Sequence, residues 1–199
     1  MPSMLLLRRA SPPPLLRRWR SSSAASEALS ASSTSVARSF RDVARVGAAV
    51  SSLQLPQSPD LVCRNLMCEH VGDACACRLS LVLERVPQLQ QLDLSSNALR
   101  ALPASTFSLQ ELRQLDASHN QLTTLPDDVA QLQALERLDL RANALQSLPV
   151  AALEALPRLQ ELQLARNPVL LAALKTEKLL LSPELRAKVV FEEEDAATS

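Results

Sequence analysis

Four cysteines, Cys63, Cys68, Cys75 and Cys77, fall within one short stretch, and the 199-residue chain has no others. Thiols at this density can hold a soft metal, close disulfides, or pack as small apolar side chains. A zinc site calls for CxxC or Cys/His pairs. Here the gaps are four, six and one residue, and only His70 is close by. A disulfide-stapled cap requires the secretory route. The longest early apolar run, Met4 to Leu7, is too short for a signal h-region of about 7–15 residues. The simplest reading is reduced structural thiols, and no metal ligand is assigned, with zinc and disulfide as the alternatives.

Other catalytic chemistry has little to stand on. His70 and His119 lie apart from any Ser or Cys arranged as a nucleophile. Neither GxGxxG nor GxxxxGK[ST] occurs, so no phosphate cradle is expected. Acidic residues are plentiful, yet none falls in a pocket motif. The expectation is no catalytic residue, no cofactor and no enzymatic activity.

What must position any functional surface is a core of narrow composition. Hydrophobic residues make up 47% of the chain, but there are three Phe, one Trp, no Tyr and two Gly. The core therefore consists of Leu, Val and Ala. Net charge is zero, which gives no global attraction to nucleic acid or an anionic membrane. No apolar run reaches the ~20 residues of a membrane span.

Charge is unevenly placed. Arg8, Arg9, Arg17, Arg18 and Arg20 precede the first acid, Glu27, and without them 16 basic residues face 21 acidic ones. An Arg-rich, Ser-rich, acid-free leader has the composition of a mitochondrial transit peptide. The alternative is a basic tail on a cytosolic protein. Residues 1–34 are read as this leader. Over 35–60, Val36, Phe40, Val43, Gly47 and Val50 recur at helical spacing. That predicts an amphipathic helix, followed by a linker at Gln54–Pro59. The chain closes on Glu192, Glu193, Glu194 and Asp195.

The strongest pattern is repetition. Leu92-Asp93-Leu94-Ser95-Ser96-Asn97 returns as Leu115-Asp116-Ala117-Ser118-His119-Asn120, then Leu138-Asp139-Leu140-Arg141-Ala142-Asn143, then Leu162-Gln163-Leu164-Ala165-Arg166-Asn167. The asparagines are spaced by 23, 23 and 24 residues, and three copies continue into Leu102-Pro103, Leu125-Pro126 and Leu148-Pro149. A fixed period of this length marks a stack of identical coils.

These residues resemble the leucine-rich-repeat family, short intracellular type, over about 89–170. The resemblance implies an α/β solenoid of about five coils, with a short curved parallel sheet and a helical convex side. Upstream, Leu61, Leu66 and Val71 suggest one more coil, and 71–89 resembles the longer ribonuclease-inhibitor type. That type prefers Gly or Ala where Cys75 stands. Its period places the ladder position at Glu69, where the family has Asn or Cys, and Arg64 stands where Leu is usual. The solenoid is thus expected over 61–181. A carboxyl-terminal cap and acidic tail occupy 182–199, with a last short helix starting at Ser182-Pro183-Glu184.

Within a coil, strand leucines point inward and their neighbours outward. Asn97, Asn120, Asn143 and Asn167 are assigned as a structural ladder satisfying backbone groups at the turn. The partner-binding surface implied by the family is the concave sheet. One column reads Asn65, Asp93, Asp116, Asp139, Gln163. Beside it lie Gln91, Gln114, Arg137 and Glu161, and then Ser95, Ser118 and Arg141. Stacked aspartates suggest a protein partner presenting a basic segment, and nothing points directly to nucleic acid. Exposed aromatics are missing, which favours an extended polar contact within a hetero-complex. The expected function is a non-catalytic accessory or assembly subunit of a mitochondrial complex, matrix more than elsewhere. Ribosome or respiratory machinery is named by compartment only. The alternative is a cytosolic or nuclear adaptor regulating a signalling enzyme.

Overall fold

The computed structural model describes residues 35–64, 75–176 and 180–190. The leader, the connection carrying Cys68, Glu69 and His70, and the acidic tail lie outside the described residues.

Among the described residues seven strands form one parallel sheet in chain order. They are β1 (Ser35–Ala37), β2 (Val50–Gln54), β3 (Gln91–Asp93), β4 (Gln114–Asp116), β5 (Arg137–Asp139), β6 (Glu161–Gln163) and β7 (Val189–Val190). Strands of two to five residues pack side by side because each coil passes the sheet once and returns behind it. The return segments are α2 (Cys77–Leu83), two 3-10 turns (Ala104–Ser108 and Asp127–Gln131) and α3 (Val150–Glu154). Between them runs a continuous apolar core. Leu92, Leu115, Leu138 and Leu162 come from the strands, Leu99, Leu122 and Leu145 from the bends, and Leu170 from the helix that follows β6. Each of these is at most 2% exposed. No coil could bury such a face alone, so the stack is the stable unit.

The amino-terminal boundary differs from the sequence expectation. The stripe from Val36 to Val50 is not one helix. Only Phe40–Val46 is helical (α1), while Val36 lies in β1 and Val50 in β2. The reason is at its two ends. Ser39 stops the chain in an extended conformation and caps α1, its Oγ accepting from Asp42 N and donating to Asp42 Oδ2. Gly47 ends the helix at φ 69°, a conformation a β-carbon disfavours. Phe40 and Val43 are buried in the common core, and Phe40 N donates to Asp60 Oδ2 at 2.9 Å. Residues 35–60 are therefore part of the stack rather than a helix and linker, and among the described residues seven strands join it, where about five coils were expected.

The expected first coil is also displaced. β2, not a segment near Asn65, pairs with β3, placing Leu53 beside Leu92 and Gln54 beside Asp93. Ser58 stands at the ladder position, with its N–H donating to Asn97 Oδ1 at 2.8 Å across 39 residues. Glu69, expected there from the period, lies outside the described residues. A return long enough to include α2 and the 65–74 connection made this repeat far longer than its neighbours, and period matching placed its strand too late.

At the carboxyl end, α4 (Pro168–Lys175) follows the last ladder residue and buries Leu170. α5 (Pro183–Lys188) begins where expected, with Ser182 Oγ accepting from Leu185 N at 3.2 Å and Pro183 in the first turn. Leu185 is buried, while Leu180 is 75% exposed. Val189 and Val190 then add β7, which among the described residues is two residues long. Short edges give another chain little to pair with.

Candidate functional site

The open face of the sheet is built from the residues flanking each inward leucine. Register alone aligns them. Gln91, Gln114, Arg137 and Glu161 stand in one column and Asp93, Asp116, Asp139 and Gln163 in the next. Neighbours within a column belong to strands about 4.8 Å apart. Gln54 extends the second column toward the amino end. Sequence reasoning missed it, although Leu53-Gln54-Leu55 repeats the Leu-x-Leu signal, because no asparagine follows. Ser52, at the head of the first column, is buried.

The aspartates have a structural task. Asp93 Oδ1 accepts from Ser95 N, Asp116 Oδ1 from Ser118 N, and Asp139 Oδ1 from Arg141 N, at 2.9, 2.9 and 3.0 Å. Each carboxylate thereby closes an Asx turn that takes the chain off the sheet. Its second oxygen remains at the half-buried surface.

Charges then divide the face in two. Arg141 Nε lies 3.1 and 3.0 Å from the two oxygens of Asp139, and Nη2 donates to Oδ2 at 2.7 Å, a bidentate pair. Arg137 Nε faces Glu161 Oε2 at 3.4 Å, and Gln163 Nε2 donates to Glu161 Oε1. The carboxyl-terminal half is therefore self-neutralised. Among the described residues no ion pair engages Asp93 or Asp116, which lie next to Gln91 and Gln114. Between the halves is a shallow hollow of about 180 Å³ lined by Asp116, Arg137, Asp139 and Glu161.

Ser118 is a correction to the expected surface. It is 4% exposed, while Ser95 and Arg141 in the same column remain partly accessible. Its carbonyl accepts from both Ser96 N and Asn120 Nδ2, so the residue belongs to the turn rather than to the open face.

The ladder lies directly behind this surface. Asn120 Nδ2 donates to the carbonyls of Leu94, Ala117 and Ser118, each at 3.0 Å. Its Oδ1 accepts from Asn97 N at 3.1 Å and Leu99 N at 2.9 Å. Asn143 joins Ala117 O to Leu140 O and accepts from Leu122 N. Asn167 joins Leu140 O to Leu164 O and accepts from Leu145 N. One amide thus bonds two successive coils, which only a side chain that both donates and accepts can do. The preceding residues Ser96, His119, Ala142 and Arg166 have φ between 52° and 59°. His119 is thereby a bend residue, its N–H donating to Arg141 O.

Among the described residues no helix is long and apolar enough to cross a membrane. The family model described as leucine rich repeat matches residues 87–145 and again 110–169. Among solved structures, an LRR protein of Leptospira interrogans aligns at 24% identity with a TM-score of 0.45, over 63% of this chain and 31% of that one. The comparison with curated proteins gives no match.

Proposed function

With residues 87–169 being leucine-rich repeats, we propose that this chain is a non-catalytic scaffold whose open sheet face holds a protein partner through Asp93 and Asp116. The observation carrying this reading is the division of the face. Arg141 and Arg137 pair with the acids of one half, while among the described residues the two aspartates of the other half have no ion pair and are partly accessible. A basic segment laid across β3 and β4 would find two carboxylates flanked by amide side chains. The absence of an aromatic anchor on this face suits an extended polar contact better than a small hot spot.

The compartment proposed is the mitochondrion, with the chain serving as an accessory or assembly subunit of a matrix complex. The composition of residues 1–20, five arginines and no acid, supports this. The test is microscopy of the chain tagged at its carboxyl end, with and without residues 1–20, joined to mass spectrometry of its mature amino terminus. Mitochondrial signal that disappears on truncation, with a trimmed terminus, supports import. Diffuse signal with the original terminus retained refutes the compartment and leaves a cytosolic or nuclear adaptor as the reading.

A further inference from the structure

The cysteines come together in a way their spacing does not announce. Cys63 follows the 3-10 turn Pro59–Leu61, while Cys75 lies just before α2 and Cys77 begins it. The fold brings these two ends into contact, with Cys75 N donating to Leu61 O at 2.9 Å. The sulfurs of Cys63, Cys75 and Cys77 all lie within 4.8 Å of one another. Cys63 and Cys77 Sγ are 3.9 Å apart, and Cys75 and Cys77 Sγ 2.9 Å.

Four ligands about 2.3 Å from a tetrahedral zinc stand about 3.8 Å from each other. The Cys63–Cys77 separation already has that length, and Cys75 needs to move by about an ångström to match it. Both of these distances exceed the ~2.05 Å of a disulfide. Two of the thiols are buried and Cys77 is exposed, so a cation has a route in.

One sulfur also has a backbone donor. Cys77 N–H points at Cys75 Sγ at 3.3 Å, a donor that stabilises negative charge on the sulfur. The residues following the two outer cysteines are Arg64 and Arg78, and both line a hollow of about 330 Å³ with Arg41 and Asp60. Arg78 is fixed there, its Nη1 donating to Asp60 O at 3.3 Å and its guanidinium 5.3 Å from the Phe40 ring centroid.

We propose that Cys63, Cys75 and Cys77 are ligands of a structural zinc ion that clamps the turn after β2 to the start of α2. Binding releases the three thiol protons to solvent, and the thiolates coordinate Zn²⁺ with no change of oxidation state. A ligand from outside the triad completes the tetrahedron. The clamp ties the end of the turn after β2 to the start of α2 across a long return of the stack.

The experiment is titration of the full chain, reduced and under anaerobic conditions, with Co²⁺ as a spectroscopic stand-in. The expected result is saturation at one equivalent, with sulfur-to-cobalt charge transfer and tetrahedral visible bands that Zn²⁺ abolishes. Zn²⁺ should raise the melting temperature and a chelator should reverse the gain. Cys77→Ser leaves the core intact because Cys77 is exposed, and it should weaken binding by more than the roughly 10–100-fold lost with an outer-shell partner. Cys63→Ser should do the same, with circular dichroism verifying the fold of both variants. No visible bands, binding of several weak equivalents, or unchanged cobalt spectra in Cys77→Ser would each overturn the proposal.

Discussion

Replacing Asn120 by Ala removes the most heavily engaged rung of the ladder. Its Oδ1 is the acceptor for two backbone donors, Asn97 N and Leu99 N, and its Nδ2 serves carbonyls of two coils. The side chain is 8% exposed, so water reaches these groups poorly. Each buried donor left without a partner costs about 1–3 kcal/mol, which puts the loss near 2–6 kcal/mol before any relaxation. Carbonyls tolerate the change better, because Ser118 O still receives Ser96 N. Against a typical domain stability of about 5–15 kcal/mol, this is a large fraction. Asn120→Asp is the sharper partner experiment. It keeps the acceptor but loses the donor and sets a carboxylate against three carbonyl oxygens, so its loss should match or exceed that of the alanine variant. Urea denaturation followed by circular dichroism measures both. A midpoint shift equivalent to less than about 1 kcal/mol for Asn120→Ala, at unchanged slope, would show that the amide does not carry the inter-coil bonds.

Other perturbations test separate parts of the structure. Asp93→Asn with Asp116→Asn keeps an oxygen for each Asx turn while removing both charges. Partner capture should weaken and lose its salt dependence with the melting temperature held, and equal capture by the double variant would refute the basic-segment reading. Ala142→Gly should stabilise by about 0.5–1 kcal/mol, since Ala142 is held at φ 52°, and a destabilisation on denaturation would contradict the bend assignment. Hydrogen bonds from Ser39 and then from Arg38 N hold the Asp42 carboxyl below its ordinary value of 3.8. A depressed folded value stabilises above the unfolded one and is lost as pH falls through the folded one. NMR titration should therefore place Asp42 below 3.8, and Ser39→Ala should raise it. Phe107→Ala, at 2% exposure, should cost about 3–5 kcal/mol, whereas Leu180→Ser on the surface should stay within about 0.5 kcal/mol.

The coils from β3 to β6 were legible because every constraint on them recurs. An inward leucine pair, an Asx turn and a ladder amide are imposed at the same point of each passage, so four sets of residues report the same geometry. β1 and β2 were hidden because they satisfy the geometry with different residues. Ser58 supplies a backbone N–H where other coils supply an amide side chain, and Val36 and Val50 happen to fall at helical spacing around a short real helix. The thiol cluster was illegible for another reason. The gaps of four, six and one residue match no ligand pattern, and the return of the chain from Leu61 to Cys75 brings the sulfurs of Cys63, Cys75 and Cys77 together.

That contrast bears on how a surface of this kind should be read. A residue that recurs in every coil has first to be explained by what every coil needs, and the aspartate column meets that condition, because each member accepts the N–H two residues ahead. Recurrence of Asp93, Asp116 and Asp139 is therefore no evidence of binding. What distinguishes one position from another is departure from the period. Arg141 replaces the Ser of the two preceding coils and neutralises Asp139, and Arg137 and Glu161 replace the Gln of the column and pair with each other. These departures leave charge at β3 and β4 and remove it at β5 and β6. Arg141→Ser consequently provides a test with the turn left intact, since the Arg141 backbone N–H alone closes it. If exposed carboxylate charge recruits the partner, freeing Asp139 should strengthen capture and steepen its salt dependence. Weaker capture would mean that the Arg141 guanidinium, rather than the aspartates, faces the partner.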